Sequence, residues 1–478
     1  MKRLLIIACV AILHKHLYAQ NPGIEFEPYT FKSNSGTEVQ AELGKLSVPE
    51  NRNSNNQKTI QLQFVRFKST SDQPGHPIIY LAGGPGGSGI NSARGKRFEL
   101  FMALREVADV IALDQRGTGL SNQIPNCSIQ GNFELTQPGT MDYYLTEMKR
   151  VVKECQAFWA EQGIDLSAYN TIQNADDLDD LRKALGASKI NLWGISYGSH
   201  LAFDYIKRYE AKIDRVVLTG LEGPDHTIKR PRYNQNFLEI LNDRLQEDQN
   251  NREVYGDLIE LMKEVLDQIE GNPVTTMARD PRSGQEFEVS ISKLDVQLVT
   301  SYFLTKNPED SKRLPLLYLQ MKNGDYKEMG MMVAMLKMYA GRVRAMPLAM
   351  SGVSPKRWNM IEEESKEALL GRSTNFPFPD IIEALELPDL GDQFRTNPVS
   401  GTKALFFSGT LDGRTYLESA KELVNGFENG VHVIVEGAGH DLFMSTPEVS
   451  RLIVNFLSGG QVSSQSIKVE VPKFVLPN

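Results

Sequence analysis

The sequence predicts an α/β fold, a mainly parallel sheet covered by helices on both faces, with a helical insertion over one end. Three observations predict it. Short apolar, β-branched runs recur along the chain with helical stretches between them, the alternation that builds parallel sheets. One such run, 77–81, opens into the glycine-rich loop 83–89. Another, 190–193, passes through Gly194-Ile195-Ser196-Tyr197-Gly198 into a helical stretch.

The N-terminal segment stands apart from the fold. Lys2 and Arg3 precede a ten-residue apolar run from Leu4 to Leu13, and Leu17-Tyr18-Ala19 ends in a small residue. This is the layout of a secretory signal peptide covering 1–19. The run is about half the roughly 20 residues that a membrane span needs, and no second stretch is long enough to cross a bilayer. Ala8-Cys9 resembles a lipoprotein site, but the apolar run continues past it. Export leaves Cys127 and Cys155, an even number in an oxidising compartment, and predicts a disulfide between them. Two independent buried thiols are the alternative.

The clearest strands are 59–67, 77–81, 107–113, 190–193, 215–219, 403–407 and 431–435, while 38–48 and 59–67 suit an antiparallel hairpin at one edge. A helix from Asn174 carries Leu178, Leu181 and Leu185 on one face and stops at Gly186. Its acids Asp176, Asp177, Asp179 and Asp180 read as first-turn acids complementing the helix dipole rather than as metal ligands. Between 225 and 395 the alternation stops, and a helical lid is expected. Within it Met329, Met331, Met332, Met335, Met338, Met346 and Met350 form a methionine-rich patch, read as lid core with a part available to line a substrate pocket. The division is a signal peptide at 1–19, a core at 20–224, the lid at 225–395, the rest of the core at 396–460, and a tail at 461–478 trailing off the last helix. Sixty acids against 52 bases give a net charge of -8, which provides no electrostatic footprint for nucleic acid.

G-x-S-x-G on a strand-to-helix turn is a nucleophile elbow. The turn is sharp, so Gly194 and Gly198 must be small to let strand and helix approach, and Ser196 is pushed to the C-terminal edge of the sheet. A serine hydroxyl needs a base to take its proton, and the base needs an orienting acid. Past strand 403–407 lies Asp412, and past strand 431–435 lies His440 in Gly437-Ala438-Gly439-His440. The order serine, acid, histidine is that expected of this layout. Among the other histidines, His14 and His16 leave with the signal, and His432 lies in a strand. His76 precedes the glycine loop, His200 sits in the elbow helix facing away from the serine, and His226 belongs to the lid.

Read literally, Gly84-Pro85-Gly86-Gly87-Ser88-Gly89 also satisfies a dinucleotide fingerprint, with Asp114 as the ribose-binding acid. Pro85 deletes a donor from the middle of that cradle. Acyl transfer instead asks for backbone N–H groups aimed at a developing oxyanion, which Gly84 and Tyr197 are placed to supply. That chemistry needs no cofactor and no metal.

Gly83-Gly84-Pro85-Gly86-Gly87, Asp114-Gln115-Arg116-Gly117-Thr118-Gly119-Leu120-Ser121, the elbow, Tyr169-Asn170-Thr171 through Asp176-Asp177-Leu178 and the block holding Asp412 and His440 together resemble the prolyl and tripeptidyl aminopeptidases of the α/β-hydrolase superfamily. The C-terminal block is similar to the tripeptidyl branch. Two departures stand out. Ala82 replaces the histidine usual before the glycine loop, and Asp412-Gly413-Arg414-Thr415-Tyr416 lacks the proline common after the acid. In 114–121 a structural Asp114–Arg116 pair is expected. The resemblance implies an α/β-hydrolase fold and a serine hydrolase, an aminopeptidase acting on peptides with a free N-terminus, and the signal-peptide layout implies that it is exported. Esterase or other acyl hydrolase activity on the same fold is the alternative, and a binding protein on a disabled hydrolase fold is more remote. Related aminopeptidases meet the substrate amine with acids near the lid. Here Glu222, just past strand 215–219, is the candidate, with Glu362, Glu363 and Glu364 competing.

Overall fold

The computed structural model describes residues 23–121, 123–280, 282–305, 307–340, 351–385 and 387–477. The signal-peptide segment predicted at 1–19, Met346 and Met350 lie outside the described residues. Strands β1 (Glu25–Lys32), β2 (Glu38–Pro49), β3 (Thr59–Phe67), β4 (Ile78–Leu81), β5 (Val110–Asp114), β6 (Ile190–Ser196) and β7 (Ile213–Leu221) precede the lid. The lid holds β8 (Val274–Arg279) and β9 (Glu286–Ile291), and β10 (Lys403–Gly409), β11 (Gly430–Glu436) and β12 (Gln465–Lys468) follow it. The main sheet runs β1-β2-β3-β5-β4-β6-β7-β10-β11-β12. The pairs β1/β2, β2/β3 and β3/β5 are antiparallel, and all pairs from β5/β4 to β11/β12 are parallel. The expected edge hairpin is therefore β2–β3, with β1 outside it.

Helices α1 (Gly89–Arg94), α2 (Phe98–Leu104), α3 (Met141–Glu161), α4 (Thr171–Ala184) and α5 (Tyr197–Tyr209) fill the first half of the chain. The central strands are buried along their length because both faces are covered. On one face α1, α2 and helix Pro447–Leu457 pack on Tyr80, Trp193 and Leu405, and the Trp193 ring lies 4.6 Å from that of Tyr80 and 4.7 Å from that of Phe101. On the other, α4, α5 and helix Leu417–Val424 bury Leu178, Leu181, Phe203 and Phe406.

The lid has its own core, built from helices that include Pro231–Gln246, Leu258–Ile269, Lys293–Leu304 and Lys327–Ala340. Leu411 and Tyr416, which flank Asp412, belong to that core, so the lid packs on the loop of the candidate acid. The β8–β9 hairpin is an addition that the helical reading of the lid missed: β8 is largely exposed, but β9 alternates Phe287, Val289 and Ile291 with polar residues, a strand signal that was there to read. The methionine patch divides between core and surface. Met329 is fully buried, Met331 and Met332 pack against the lid core, and Met335 and Met338 are each 47% exposed. Lys337 between them is buried, its ammonium donating to the Leu135, Gln137 and Ser290 carbonyls at 3.2, 2.6 and 2.9 Å.

Two expectations are corrected. The segment after Ser458 does not trail away: β12 pairs with β11 from Val433–Gln465 to Glu436–Lys468, covering an edge that would otherwise present unpaired backbone groups. Further on, Phe474 is buried in the lid core. The acids of α4 do not serve its dipole, because the helix starts at Thr171, capped by the Asn170 side chain, with no acid in its first turn. They are balanced by ion pairs instead: Asp176 with Arg208, Asp177 with Arg52 and Arg116, Asp179 with Arg182 and Lys183, and Asp180 with Arg52 and Lys183.

Cys155 on α3 is joined to Cys127, with Cα atoms 5.7 Å apart and a sequence separation of 28. Their surroundings include Trp159, Tyr144 and Tyr197. Closing a loop of this size stabilises by roughly 3 kcal/mol through the unfolded chain. Cys127→Ser should therefore lower the denaturant midpoint substantially, and native protein should resist alkylation; two free thiols by mass spectrometry would contradict it.

Two further interior groups set an acid limit. His200 on α5 is fully buried between the Tyr197 and Phe394 rings, and His432 on β11 donates to or accepts from Ser408 Oγ at 2.9 Å. Burial lowers both imidazoles from 6.5 to about 4. Between those values the unfolded chain binds protons that the folded chain refuses, so stability falls as pH drops from 6.5 towards 4. Replacing both histidines by glutamine should flatten the decline of the thermal midpoint over that window; an unchanged slope would assign acid sensitivity to other groups.

Candidate active site

Strand β6 ends in Ser196 and α5 begins at Tyr197 with no connecting loop. Ser196 takes φ 56°, ψ −125°, and is the one non-glycine residue with positive φ among the described residues. Such a conformation costs on the order of 1–3 kcal/mol and persists only where its surroundings impose it. The crossing of strand and helix imposes it here. A Cβ on Gly194 would lie 2.9 Å from the Gly198 carbonyl oxygen, and one on Gly198 would collide with the Leu81 carbonyl. The glycine loop lies against the same serine, since a Cβ on Gly83 would sit 2.9 Å from Ser196 Cβ.

Asp412 follows β10 and is buried. It accepts hydrogen bonds from the Arg414 and Thr415 backbone N–H at 2.9 Å each, from Thr415 Oγ1 at 2.5 Å, and from His440 Nδ1 at 2.9 Å. Burial alone would raise the Asp412 carboxyl, but the His440 charge and these donors outweigh it and hold the group below its usual range. His440 follows β11, and its ring lies over Gly220 of β7, where a Cβ would meet His440 Cε1 at 2.9 Å. Gly220 precedes Leu221, the register partner of Ser196. The three segments thus converge on adjoining strand ends. No hydrogen bond joins Ser196 Oγ to His440 in this structure. The histidine loop is pinned by Asp441, which pairs with Arg97 at 2.7 Å.

On the opposite side of Ser196, Tyr197 is the first residue of α5, so its N–H has no acceptor within the helix. Its buried ring is fixed by Thr171 Oγ1 and Asn174 Nδ2, each 3.3 Å from the phenol oxygen. Gly84 sits in the loop before α1 at φ 130°. The expected Asp114–Arg116 pair is not formed. Asp114 turns into the glycine loop, where it accepts from Ser88 Oγ (2.6 Å), Ile90 N (3.1 Å) and Leu120 N (2.7 Å). Burial lifts its carboxyl above the ordinary range despite those donors. Arg116 turns the other way. It makes two 2.7 Å bonds to Asp177 and donates to the Glu50 and Ala168 carbonyls. Removing one member of so buried a pair costs about 3–5 kcal/mol.

Glu222 is buried just past β7, and its carboxylate pairs with Lys229 Nζ at 2.5 Å. Burial pushes it up, but Lys229, His200 and His440 outweigh burial and keep it anionic. Glu362 and Glu363 are exposed on helix Pro355–Ser365, and Glu364 is tied to Arg230. Sequence reading missed Thr415, Arg97 and Lys229. Thr415 lies three residues from Asp412 and Lys229 seven from Glu222, so both are local, whereas Arg97 meets Asp441 across 344 residues.

The comparisons with known proteins agree with this layout. The α/β hydrolase fold family matches residues 76–264, and the TAP-like protein family matches residues 390–468. The serine protease Hip1 of Mycobacterium tuberculosis is 29% identical over 188 residues, 38% of this chain and 36% of that protein. The tripeptidyl aminopeptidase of Streptomyces lividans is 28% identical over 215 residues, 43% of this chain and 40% of that protein. The matched stretches span about two-fifths of the length of these relatives. A mainly parallel sheet, a strained serine at a strand-to-helix turn and family matches at 76–264 and 390–468 lead to one assignment: the chain has the α/β-hydrolase fold, with a C-terminal region similar to the TAP-like protein family.

Proposed function

We propose that the protein is an exported serine peptidase that removes residues from the free N-terminus of peptides through an acyl-enzyme. The observation that carries this reading is the positive φ of Ser196 at the β6–α5 turn, because strain of this kind at a strand end serves to present a nucleophile. Ser196 Oγ attacks the scissile carbonyl while His440 Nε2 takes its proton. Asp412 holds the Nδ1–H and stabilises the imidazolium. The Gly84 and Tyr197 N–H groups bind the oxyanion, His440 then protonates the leaving amine, and water repeats the sequence on the ester. Substrate binding has to close the Ser196–His440 hydrogen bond, which catalytic groups in unliganded sites commonly leave open. The joined Cys127 and Cys155 support export, and no helix of the described residues is long and apolar enough to cross a membrane.

A fluorophosphonate probe should label the wild type and leave Ser196→Ala unlabelled, with turnover of peptide amides falling by at least about 1,000-fold. Equal labelling would place the nucleophile elsewhere. Rates on aminoacyl amides against short aryl esters separate a peptidase from an esterase.

Glu222 is the acid we assign to the substrate amine, although Lys229 already balances its charge and an incoming ammonium must share the carboxylate. Glu222→Gln should then slow cleavage of free-amine peptides more than of their N-acetylated counterparts or of neutral esters. Equal losses on all three would make Glu222 only the structural partner of Lys229.

A further inference from the structure

Between the lid and the loop of Asp412 lies a cavity of about 200 Å³, lined by Thr227, Lys229, Thr305, Asn375, Phe376 and Arg414, among others. Its walls are continuous with the site already described. Arg414 is two residues past Asp412 and gives it a backbone hydrogen bond. Thr305 follows Leu304, whose carbonyl abuts Gly413. Lys229 is the partner of Glu222. A second, narrower void shares Lys229 and Arg414 with the first and reaches Thr415 and Leu221, next to the ends of the strands that carry the site.

Most of the charges around these voids have a partner. Lys229 pairs with Glu222, Arg230 with Glu364, and His226 faces Glu422 at 3.3 Å. Arg414 and Arg357 form no ion pair among the described residues. Arg357, which lines the narrower void, is buried, donates to the Ile228 carbonyl and lies in the field of Asp225 and Glu422, although burial outweighs those acids and lowers its guanidinium from its ordinary range. Arg414 is exposed, and among the described residues only its backbone N–H is seen to make a hydrogen bond, to Asp412. No acidic side chain lines either void. The Thr227 hydroxyl oxygen is shut off from solvent and also lacks a partner. The Asn375 amide, by contrast, is used up in holding Lys229, accepting from its N–H at 2.6 Å and donating to its carbonyl at 2.7 Å. An unpaired guanidinium at a cavity that also holds a lysine and no acidic side chain favours an anionic group.

We propose that this cavity is a carboxylate-binding subsite for the substrate, with Arg414 as its selecting residue and Lys229 beside it. The assignment rests on the peptidase reading above and names the substrate class: peptides carrying an acidic group beside the scissile bond. An Arg–carboxylate contact is strong and directional. A carboxylate can come from an Asp or Glu side chain or from the C-terminus of a short peptide, and the cavity chemistry is the same for both.

Matched fluorogenic peptides differing only in Glu against Gln, together with internally quenched peptides with free against amidated C-termini, test it. Wild type should favour Glu, or the free C-terminus, by about 10-fold or more in kcat/KM. In Arg414→Gln the ratio should fall towards one, and in Arg414→Glu it should invert in favour of Lys-bearing peptides. Ratios near one in the wild type on both pairs, or preferences that survive in Arg414→Gln, would overturn the subsite. If the wild type cleaves none of these peptides, the peptidase reading fails. Calorimetry on Ser196→Ala then judges the subsite alone: binding of the Glu peptide about 10-fold tighter than the Gln peptide, with the difference lost in Ser196→Ala/Arg414→Gln, supports it, and equal binding overturns it.

Discussion

The structure depends on a backbone crossing in which β6, the start of α5 and the end of β4 come within van der Waals distance of one another around Ser196. Gly198 abuts the Leu81 carbonyl, Gly194 abuts Gly198, and Gly83 abuts Ser196 itself. Side chains at these points would push the elements apart, and the serine would relax out of its positive φ. The crossing therefore does two things at once. It holds the hydroxyl at the sheet edge in a conformation the chain would not adopt alone, and it brings the glycine loop alongside. The packed aromatic cluster of Tyr80, Phe101 and Trp193 on one side of these strands keeps that arrangement rigid.

Around the crossing, loops that have no regular structure of their own are held by buried charge. Asp114 gathers the start of α1 and the 117–121 turn, and Arg116 ties the following turn to α4 and to the chain near Glu50. The same α4 segment supplies Thr171 and Asn174 to Tyr197, so the N–H of Tyr197 is steadied through a chain of contacts that starts two strands away. Arg97, just past α1, reaches Asp441 beside His440. The loops on both sides of Ser196 are in this way linked to one short helical region. The links through Asp114, Arg116 and Arg97 use charged groups largely removed from water, where an unpaired partner is costly.

The lid is bound into the site rather than laid over it. Leu411 and Tyr416 are members of its core, and segments near Leu304 and Pro308 press on Gly413 and Gly439. The loops of Asp412 and His440 thus share their packing with the lid, and the cavity lined by Arg414 and Lys229 exists only because lid and core meet there.

The sequence by itself determined the features whose signal is local. Alternating apolar runs specify a covered parallel sheet, and G-x-S-x-G after a strand specifies a tight turn, because each depends on residues a few positions apart. The positions of Asp412 and His440 one loop past a strand end were legible for the same reason. Tertiary structure decided the rest. Asp114 and Arg116 are two residues apart, and only the fold sends one to Ser88 and the other to Asp177. Asp177 reads as a dipole acid until Arg116, 61 residues away, arrives beside it. Glu222 reads as a free loop acid until the lid entrance folds Lys229 back onto it. The C-terminal segment is polar, glycine- and serine-rich, and becomes a strand because the β11 edge is open to pair with it. Most of these partners are remote in sequence, and even Lys229, seven residues from Glu222, reaches it only once the intervening chain has turned back. The energy that decides the outcome, desolvation of a charge or satisfaction of a backbone edge, has no value until the chain has folded.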